Sequence, residues 1–194
     1  MSEQAPEQPD VGRSLLERAG AGDQDAFVEF VRLYEVRVAG VVRRLLDDER
    51  DLEEVVQDVF VQAWRNVDHY RGESSVSTWL YRIATNQALM KLRRKQLQLV
   101  DIDEAPAAQQ PQTPPSQAPD ERAEAAELRS FVAERIRELP FEYRAALVLR
   151  DIEGLSNEEV AQTLEISLPA AKSRIHRARM QLREQLQERD GPPG

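Results

Sequence analysis

Proline placement divides this chain into two stretches that are free to form long helices. Five of its 11 prolines fall within residues 106–119, four lie in the tails, and none occurs in residues 10–105. Proline lacks an amide donor and clashes with the preceding turn, so proline-free stretches favour helices. Residues 97–124, rich in Pro, Gln and Ala, are predicted to form a flexible linker that averages roughly 30 Å end to end.

Apolar residues recur along both stretches about every 3.6 residues, the spacing that gives a helix one buried face. The clearest repeat spans residues 51–67, with apolar side chains on one face and charged or polar side chains on the other. Similar repeats predict helices over residues 25–46, 76–95, 125–139, 143–151 and 156–164, followed by a last helix after Ser167. We therefore expect an all-α fold of two small helical domains joined by the linker.

The predicted domain boundaries follow from these repeats. Residues 23–96 form the first domain and residues 125–188 the second, with the linker at 97–124 between them. Residues 1–22 are an N-terminal tail together with the start of the first helical segment, and residues 189–194 are a disordered tail.

The residue types that the chain lacks exclude several classes of protein. There is no cysteine and there are only two histidines, His69 and His176, so we expect no catalytic residue, metal or cofactor. No glycine-rich phosphate loop is present, and we expect no small-molecule substrate. No apolar run reaches the ~18 residues of a membrane span, and the acidic N-terminus is not a secretory signal. We expect a cytoplasmic protein without membrane insertion.

Charge is segregated along the chain, although the net charge is −9. Residues 82–95 carry five cations and no acid, and residues 172–183 repeat this pattern. Residues 47–58 carry seven acids against Arg50 alone. Nucleic-acid binding depends on local clusters of charge rather than on the total, so the two basic clusters are candidate DNA-binding surfaces. These acids either form a solvated face of a helix or bind a partner.

Residues 156–183 have the pattern of a helix-turn-helix. Ser156-Asn-Glu-Glu159 is a capping box that starts one short helix, and Ser167 caps the next, with Pro169 in its first turn. That second helix turns an apolar stripe inward and basic residues outward, as a DNA-recognition helix requires, although a solvated basic helix end is the alternative. The outward residues are Lys172, Ser173, Arg174, His176, Arg177, Arg179, Met180 and Arg183.

The basic residues 82–95 lie close in sequence to four aromatic residues, Trp64, Tyr70, Trp79 and Tyr81. Cations and flat rings together suit single-stranded DNA, because phosphates need counter-charge and unstacked bases need a stacking surface. Trp64 lies on an apolar stripe and is more simply a core residue, whereas Trp79 fits either role.

Two sets of sequence strings resemble regions 2 and 4 of extracytoplasmic-function (ECF) sigma factors. The first set is Asp51-Leu-Glu-Glu-Val-Val-Gln-Asp-Val-Phe60, Tyr70-Arg-Gly72 and Thr78-Trp-Leu-Tyr-Arg-Ile-Ala-Thr-Asn86. The second set is Leu139-Pro140 with Tyr143-Arg144, Gly154-Leu-Ser-Asn-Glu-Glu-Val-Ala161 and Lys172-Ser-Arg-Ile-His-Arg-Ala-Arg179. The resemblance covers both domains in family order, and the chain is similar to the envelope-stress subgroup.

The resemblance implies a role for each matching surface. Polymerase binding is implied for Asp51, Glu54, Gln57 and Asp58, which would dock on the coiled coil of the β′ clamp. Binding of the downstream promoter element is implied for Tyr70, Trp79, Tyr81, Arg82, Asn86, Lys91, Arg93 and Arg94, with Tyr70 and Asn86 lining a pocket for an extruded base. Reading of the upstream duplex is implied for Lys172, Ser173, Arg174, His176, Arg177 and Arg179, of which Arg174 and Arg179 would mostly hold phosphates.

The implied function is promoter selection and melting in transcription initiation, linked to a stress response, with no chemistry of its own. The implied partners are core RNA polymerase, through its β′ and β subunits, promoter DNA and an anti-sigma factor. The alternative is a helix-turn-helix regulator that acts without being a polymerase subunit. One departure is Pro169-Ala-Ala171, where many family members carry Gly-Thr-Val, so a hydroxyl that could contact phosphate is missing.

Overall fold

A computed structural model describes residues 9–100 and 121–187, and within these ranges the chain is helical without a strand. The first lobe contains α1 (Pro9–Gly20), α2 (Gln24–Leu45), α3 (Arg50–Arg65), a 3₁₀ turn (Val67–His69) and α4 (Val76–Val100). The second lobe contains α5 (Glu121–Glu138), α6 (Phe141–Leu147) continued by a π-helical turn (Val148–Ile152), α7 (Asn157–Thr163) and α8 (Leu168–Gln187). The predicted all-α fold of two small helical units is confirmed.

The first lobe buries one face of each helix in a shared core. Asp23 starts α2, because its side chain accepts a hydrogen bond from Ala26 N at 3.0 Å. The helix that follows buries Phe30 completely, and α3 and α4 add Val59 and Leu80 to the same core. The apolar repeat seen in the sequence is therefore the repeat of burial.

Helix α1 goes beyond the predicted tail and start of a helical segment at residues 1–22. It packs on α2 and buries Leu15, Leu16 and Ala19. Its apolar positions extend over only two turns, and Pro9 stands at its start. A short repeat of this kind gives a weak signal in a sequence, and the packing against α2 supplies most of the stability.

Helices α7 and α8 form the predicted helix-turn-helix. Ser156 Oγ accepts from Glu159 N at 3.1 Å, and Glu159 Oε2 accepts from Ser156 N at 2.8 Å, which confirms the capping box. Beyond α7, Glu165 adopts a left-handed conformation with a φ of 54°, and Ile166 N donates to Ala161 O at 3.0 Å. This cap satisfies a terminal carbonyl of α7 and produces the tight turn.

The two lobes pack against each other. Arg144 of α6 is buried where they meet, and its guanidinium donates to Leu45 O at 3.0 Å and to Leu139 O at 3.1 Å. The same side chain pairs with Asp47 of the first lobe, at 2.5 Å between Nη1 and Oδ1. Helix α4 also contacts α7, and apolar residues of both lobes join in one core.

The helices extend into the predicted linker from both ends. Helix α4 continues to Val100 and α5 begins at Glu121, eight residues in all that carry no proline and favour helix. The remaining linker prediction, at residues 101–120, lies outside the described residues, as do the predicted tail at 189–194 and residues 1–8.

Gly12 of α1 lies against the ring of Tyr34 in α2. A methyl group at Gly12 would lie 2.9 Å from Tyr34 Cζ and 3.0 Å from Cε2, and closer still to Oη. We expect Gly12→Ala to lower the free energy of unfolding by about 1–3 kcal/mol through overpacking, although alanine is the better helix former. Urea denaturation measures this change.

Gly40→Ala is the matched control for this substitution. Gly40 lies inside α2, and a methyl group there would meet only the end of the flexible Arg44 side chain, at 3.1 Å from Nη1. The control is expected to be neutral, or to stabilise the fold by up to about 1 kcal/mol. An equal loss of stability in both variants would contradict the close packing of α1 on Tyr34.

Candidate nucleic-acid and partner interfaces

The outward face of α8 carries the residues predicted to read duplex DNA. Ala171, Ile175 and Ala178 are buried against the rest of the lobe, so the opposite side of the helix faces outward. Arg177 Nη1 donates to Tyr143 Oη at 3.3 Å, which holds its guanidinium at the edge of this surface. The exposed residues predicted for base contact are Lys172, Ser173, His176 and Arg177.

Two arginines of α8 are held by acids of their own lobe. Arg179 forms a bidentate pair with Asp151, at 2.9 Å from Nε to Oδ2 and 2.5 Å from Nη2 to Oδ1, and this hydrogen bonding raises the pKa of Arg179. Arg174 Nη2 lies 3.3 Å from Glu142 Oε2. Both arginines are predicted phosphate contacts, so DNA must compete with these carboxylates for them.

The loop before α4 holds Tyr70 in a fixed position. Its ring lies against Trp79, with 5.2 Å between the centroids and a tilt of 51°. Its hydroxyl donates to Ser74 O at 2.8 Å, and partial burial raises its pKa. Trp79 is only 5% exposed, so it packs beneath Tyr70 and joins the core. The predicted DNA contacts that α4 leaves exposed or half-buried are Arg82, Asn86, Lys91, Arg93 and Arg94.

Acids of the second lobe lie over part of the predicted DNA surface of α4. Tyr81 is buried, and its hydroxyl donates to Glu153 Oε2 at 2.8 Å. One turn earlier, Thr78 Oγ1 donates to Glu159 Oε1 at 3.4 Å. In this closed arrangement Tyr81 contacts protein, and the second lobe stands where its predicted DNA ligand would lie.

Two lysines of α4 are paired with the acidic cluster of the first lobe. Lys91 Nζ lies 2.5 Å from Glu54 Oε2 and 3.4 Å from Asp51 Oδ1, and the bond to Glu54 raises the pKa of Lys91. Lys95 Nζ lies 3.0 Å from Asp48 Oδ2 and also pairs with Asp51. Lys91 is a predicted DNA contact, and its charge is already engaged by carboxylates.

The predicted polymerase-binding residues do not all face outward. Asp51 is buried between the two lysines of α4, at 9% exposure. Glu54 and Gln57 are exposed on α3, and Asp58 is half-buried. A partner that approaches this helix therefore meets the last three side chains, whereas Asp51 serves to join α3 to α4.

An apolar groove lies between α2 and α3, beside these residues. It has a volume of 520 Å³ and is lined by Phe27, Val31, Glu35, Val56, Gln57, Phe60, Val61 and Trp64. Trp64, expected in the core, is 39% exposed here and meets the ring of Phe27 edge-on at 4.8 Å. The apolar face of residues 51–67 is wider than the core covers. This extra width is the sequence feature that indicates an exposed apolar groove.

Within the described ranges, no group of histidine and acidic side chains is arranged to hold a metal ion. None of the helices in these ranges combines the length and apolar character needed to cross a membrane.

An exposed recognition helix in one lobe and a basic helix with an aromatic loop in the other define a two-lobed helical DNA-binding protein. The family described as Sigma-70 region 2 matches residues 30–98, and the family described as Sigma-70, region 4 matches residues 132–182. The chain belongs to the ECF sigma factor family, and its function is that of a sigma factor.

Two relatives illustrate the extent of the similarity. The chain is 37% identical to the ECF RNA polymerase sigma-E factor of Escherichia coli (strain K12), over 96% of this chain and 97% of the relative. It is 33% identical to the ECF RNA polymerase sigma factor SigW of Bacillus subtilis (strain 168), over 91% of this chain and 97% of the relative.

Two solved structures share the arrangement of helices. CnrH in complex with the cytosolic domain of CnrY has a TM-score of 0.65 and 29% identity, over 92% of this chain and 99% of that chain. The sigma factor RpoE of Bartonella quintana in complex with the anti-sigma factor NepR has a TM-score of 0.68 and 22% identity, over 83% of this chain and 96% of that chain. At that identity the second structure shows the fold alone.

The burial of Asp51 predicts a structural effect for its removal. We expect Asp51→Asn to lower the free energy of unfolding by about 1–3 kcal/mol, because two lysines lose a shared, buried carboxylate. Glu53→Gln is the matched control, since Glu53 is exposed in the same first turn of α3 and loses the same interaction with the helix dipole. Urea denaturation compares the two, and equal losses would show that Asp51 acts as an ordinary surface acid.

Proposed function

We propose that this chain binds core RNA polymerase, directs it to promoters in the bacterial cytoplasm and helps to separate the DNA strands there, catalysing no reaction itself. The single observation that carries the proposal is the presence in one chain of two different DNA-binding surfaces. Helix α8 suits duplex DNA, and α4 with its preceding loop suits separated strands. A regulator that acts without being a polymerase subunit, with the first lobe as a dimerisation or sensor module, is not favoured, because residues 79–86 and the match of residues 30–98 to Sigma-70 region 2 do not fit it.

Polymerase binds, in this proposal, along the outer side of α3. Glu54, Gln57 and Asp58 supply polar and acidic contacts. The apolar groove beside them supplies apolar surface that a bound partner buries. The complementary partner is a helix with an apolar stripe flanked by lysine or arginine. The coiled coil of the β′ clamp, which the family resemblance implies, has this character. Asp51 contributes indirectly, because its ion pairs hold α4 against α3.

Separated DNA binds at the loop before α4 and along the exposed side of that helix. Extruding a base costs a few kcal/mol, and stacking on an aromatic ring returns about 1–3 kcal/mol. Tyr70 is half-buried on a support of Trp79, so its ring is already ordered before DNA arrives. Asn86 is exposed on α4 and supplies a donor and an acceptor for a base edge. Arg93 and Arg94 contact phosphates.

The lobes separate before both engage a promoter, because Glu153 engages the Tyr81 hydroxyl in the closed arrangement. Binding to polymerase provides the free energy for this opening. An anti-sigma factor would act in the opposite direction by binding the closed form. An anti-sigma factor is the partner that the resemblance to ECF sigma factors implies, and we extend that kind of partner to this chain.

Run-off transcription with core polymerase and a library of promoter fragments tests the proposed function. The expected result is a set of start sites that depends on this protein, with an upstream and a downstream sequence element in common. Core polymerase alone, and core polymerase with the separated second lobe, are the controls. The proposal fails if no start site depends on the full chain.

Arg177 is predicted to distinguish promoter sequences. Arg177→Ala should weaken binding to the preferred upstream element by about 1–3 kcal/mol if the guanidinium makes a bidentate base contact. It should also reduce discrimination between promoters. Holoenzyme binding to matched and mismatched promoters measures this.

Arg183→Ala is the control for Arg177→Ala, because it removes the same charge from an exposed position further along α8. It should weaken binding to all promoters uniformly or leave their binding unchanged. Unaltered discrimination in Arg177→Ala would assign Arg177 to phosphate or to no DNA contact.

A further inference from the structure

An arginine of α1 lies across the loop that is proposed to hold an extruded base. A methyl group added to Gly72 would lie 3.0 Å from both Cζ and Nη2 of Arg13, and 3.1 Å from Nη1. Gly72 has a φ of +72°, a conformation that glycine adopts without strain. Two properties of glycine are therefore used at this position, the positive φ and the absence of a side chain under the guanidinium.

The three distances also define how the guanidinium is oriented. Cζ and the two Nη atoms are almost equally far from the Cβ position of Gly72. An approach in the plane of the fork would leave Cζ clearly farther away than the nitrogens, because Cζ lies behind the line that joins them. Gly72 therefore meets the flat face of Arg13, and the hydrogen-bonding edge extends sideways along the loop surface.

Arg13 is also in the electrostatic environment of Tyr70. Burial is the main cause of the raised pKa of the Tyr70 phenol, the charge of Arg13 opposes that rise, and the charge of Glu17 adds to it. Arg13 Nε donates to Glu17 Oε1 at 3.0 Å, and both side chains are more than half exposed. An exposed pair of this type adds at most about 0.5 kcal/mol to stability.

The charge around the loop favours a contribution from α1. Lys91 and Lys95 lie about four to five turns further along α4 and are engaged by Asp51 and its acidic neighbours, so they offer little net charge to a phosphate. The loop itself has Arg71 exposed, but Glu73 is exposed two residues later. A DNA strand at this loop needs a further cation, and Arg13 is placed to supply it.

We propose that Arg13 is a further DNA-binding residue, whose guanidinium contacts a backbone phosphate of the separated strand at the loop Tyr70–Ser75. This inference depends on the proposed role of that loop in promoter opening. Arg13 precedes the segment that matches Sigma-70 region 2, which begins at residue 30, so the family match assigns it no role. DNA replaces Glu17 as one partner of the guanidinium, and the contact with Gly72 holds the side chain in place.

The test compares Arg13→Gln with Arg18→Gln in the full chain. Arg18 is the matched control, because it lies on the same helix, has a side chain 51% exposed against 53% for Arg13, and likewise pairs with an acid, Asp23. Each variant is assembled with core polymerase and titrated with a duplex that carries an unpaired bubble, taken from a promoter that the parent protein transcribes. Affinity is measured as a function of salt concentration, and core binding and thermal unfolding are measured separately.

Arg13→Gln is expected to weaken bubble binding by about three- to tenfold and to reduce the slope of log affinity against log salt by about 0.7, the loss of one single-strand phosphate contact. Arg13→Lys should retain most of the affinity, because a phosphate accepts a point charge. Arg18→Gln should leave affinity and slope unchanged, and all variants should keep normal core binding and unfolding temperature.

Equal effects of Arg13→Gln and Arg18→Gln, or no effect of either, would overturn the proposal. A loss of bubble affinity in Arg13→Lys as large as that in Arg13→Gln would overturn the assignment of Arg13 to a phosphate contact. Asn86→Ala is included to keep the two levels of inference apart: if it weakens bubble binding while Arg13→Gln does not, only the Arg13 inference fails. If run-off transcription yields no promoter that depends on the parent protein, the proposed function fails and this inference fails with it.

Discussion

The arrangement of the two lobes depends on one buried cation, Arg144. Its guanidinium donates to Leu45 O, at the end of α2, and to Leu139 O, just beyond α5. Helix C-terminal regions carry unpaired carbonyls and partial negative charge, so a single arginine between two of them satisfies both. Asp47 supplies the counter-charge. Because a buried guanidinium without these acceptors would cost several kcal/mol, the carbonyl positions of both lobes are constrained together.

That constraint also determines what the protein offers to DNA. With α6 fixed against α2, α7 lies on α4, and Glu153 and Glu159 bond to Tyr81 and Thr78. Carboxylates at these positions repel phosphates, and the net charge of −9 adds long-range repulsion. We therefore expect the closed chain to bind DNA weakly although it carries two basic helices. We expect a partner that binds α3 and favours separated lobes to remove the first obstacle, and a basic partner to offset the second, which would link polymerase binding to DNA binding.

Most of the fold could be predicted from the sequence, because it is encoded in local patterns. The apolar repeat located α2, α3 and α4, and the capping box at Ser156 located the start of α7. The roles of individual charged residues could not be predicted in the same way. Asp51 fits a solvated acidic face by its spacing, yet Lys91 and Lys95 reach it from 40 and 44 residues away and leave it buried. Pairing between helices depends on packing geometry, which no local pattern contains.

The same distinction separates basic residues that hold the protein together from those that can hold DNA. Arg177 and Arg179 differ by two positions on α8, but that spacing turns them about 200° apart around the helix. Arg179 meets Asp151 of its own lobe, whereas Arg177 stays on the outward face. A count of cations in residues 172–183 therefore overstates the charge available to phosphates. In the proposed function, specificity depends on the few side chains that packing leaves outward. We therefore expect a change of Asp151, in the π-helical turn, to alter DNA binding by releasing Arg179, although Asp151 itself lies outside the predicted recognition residues.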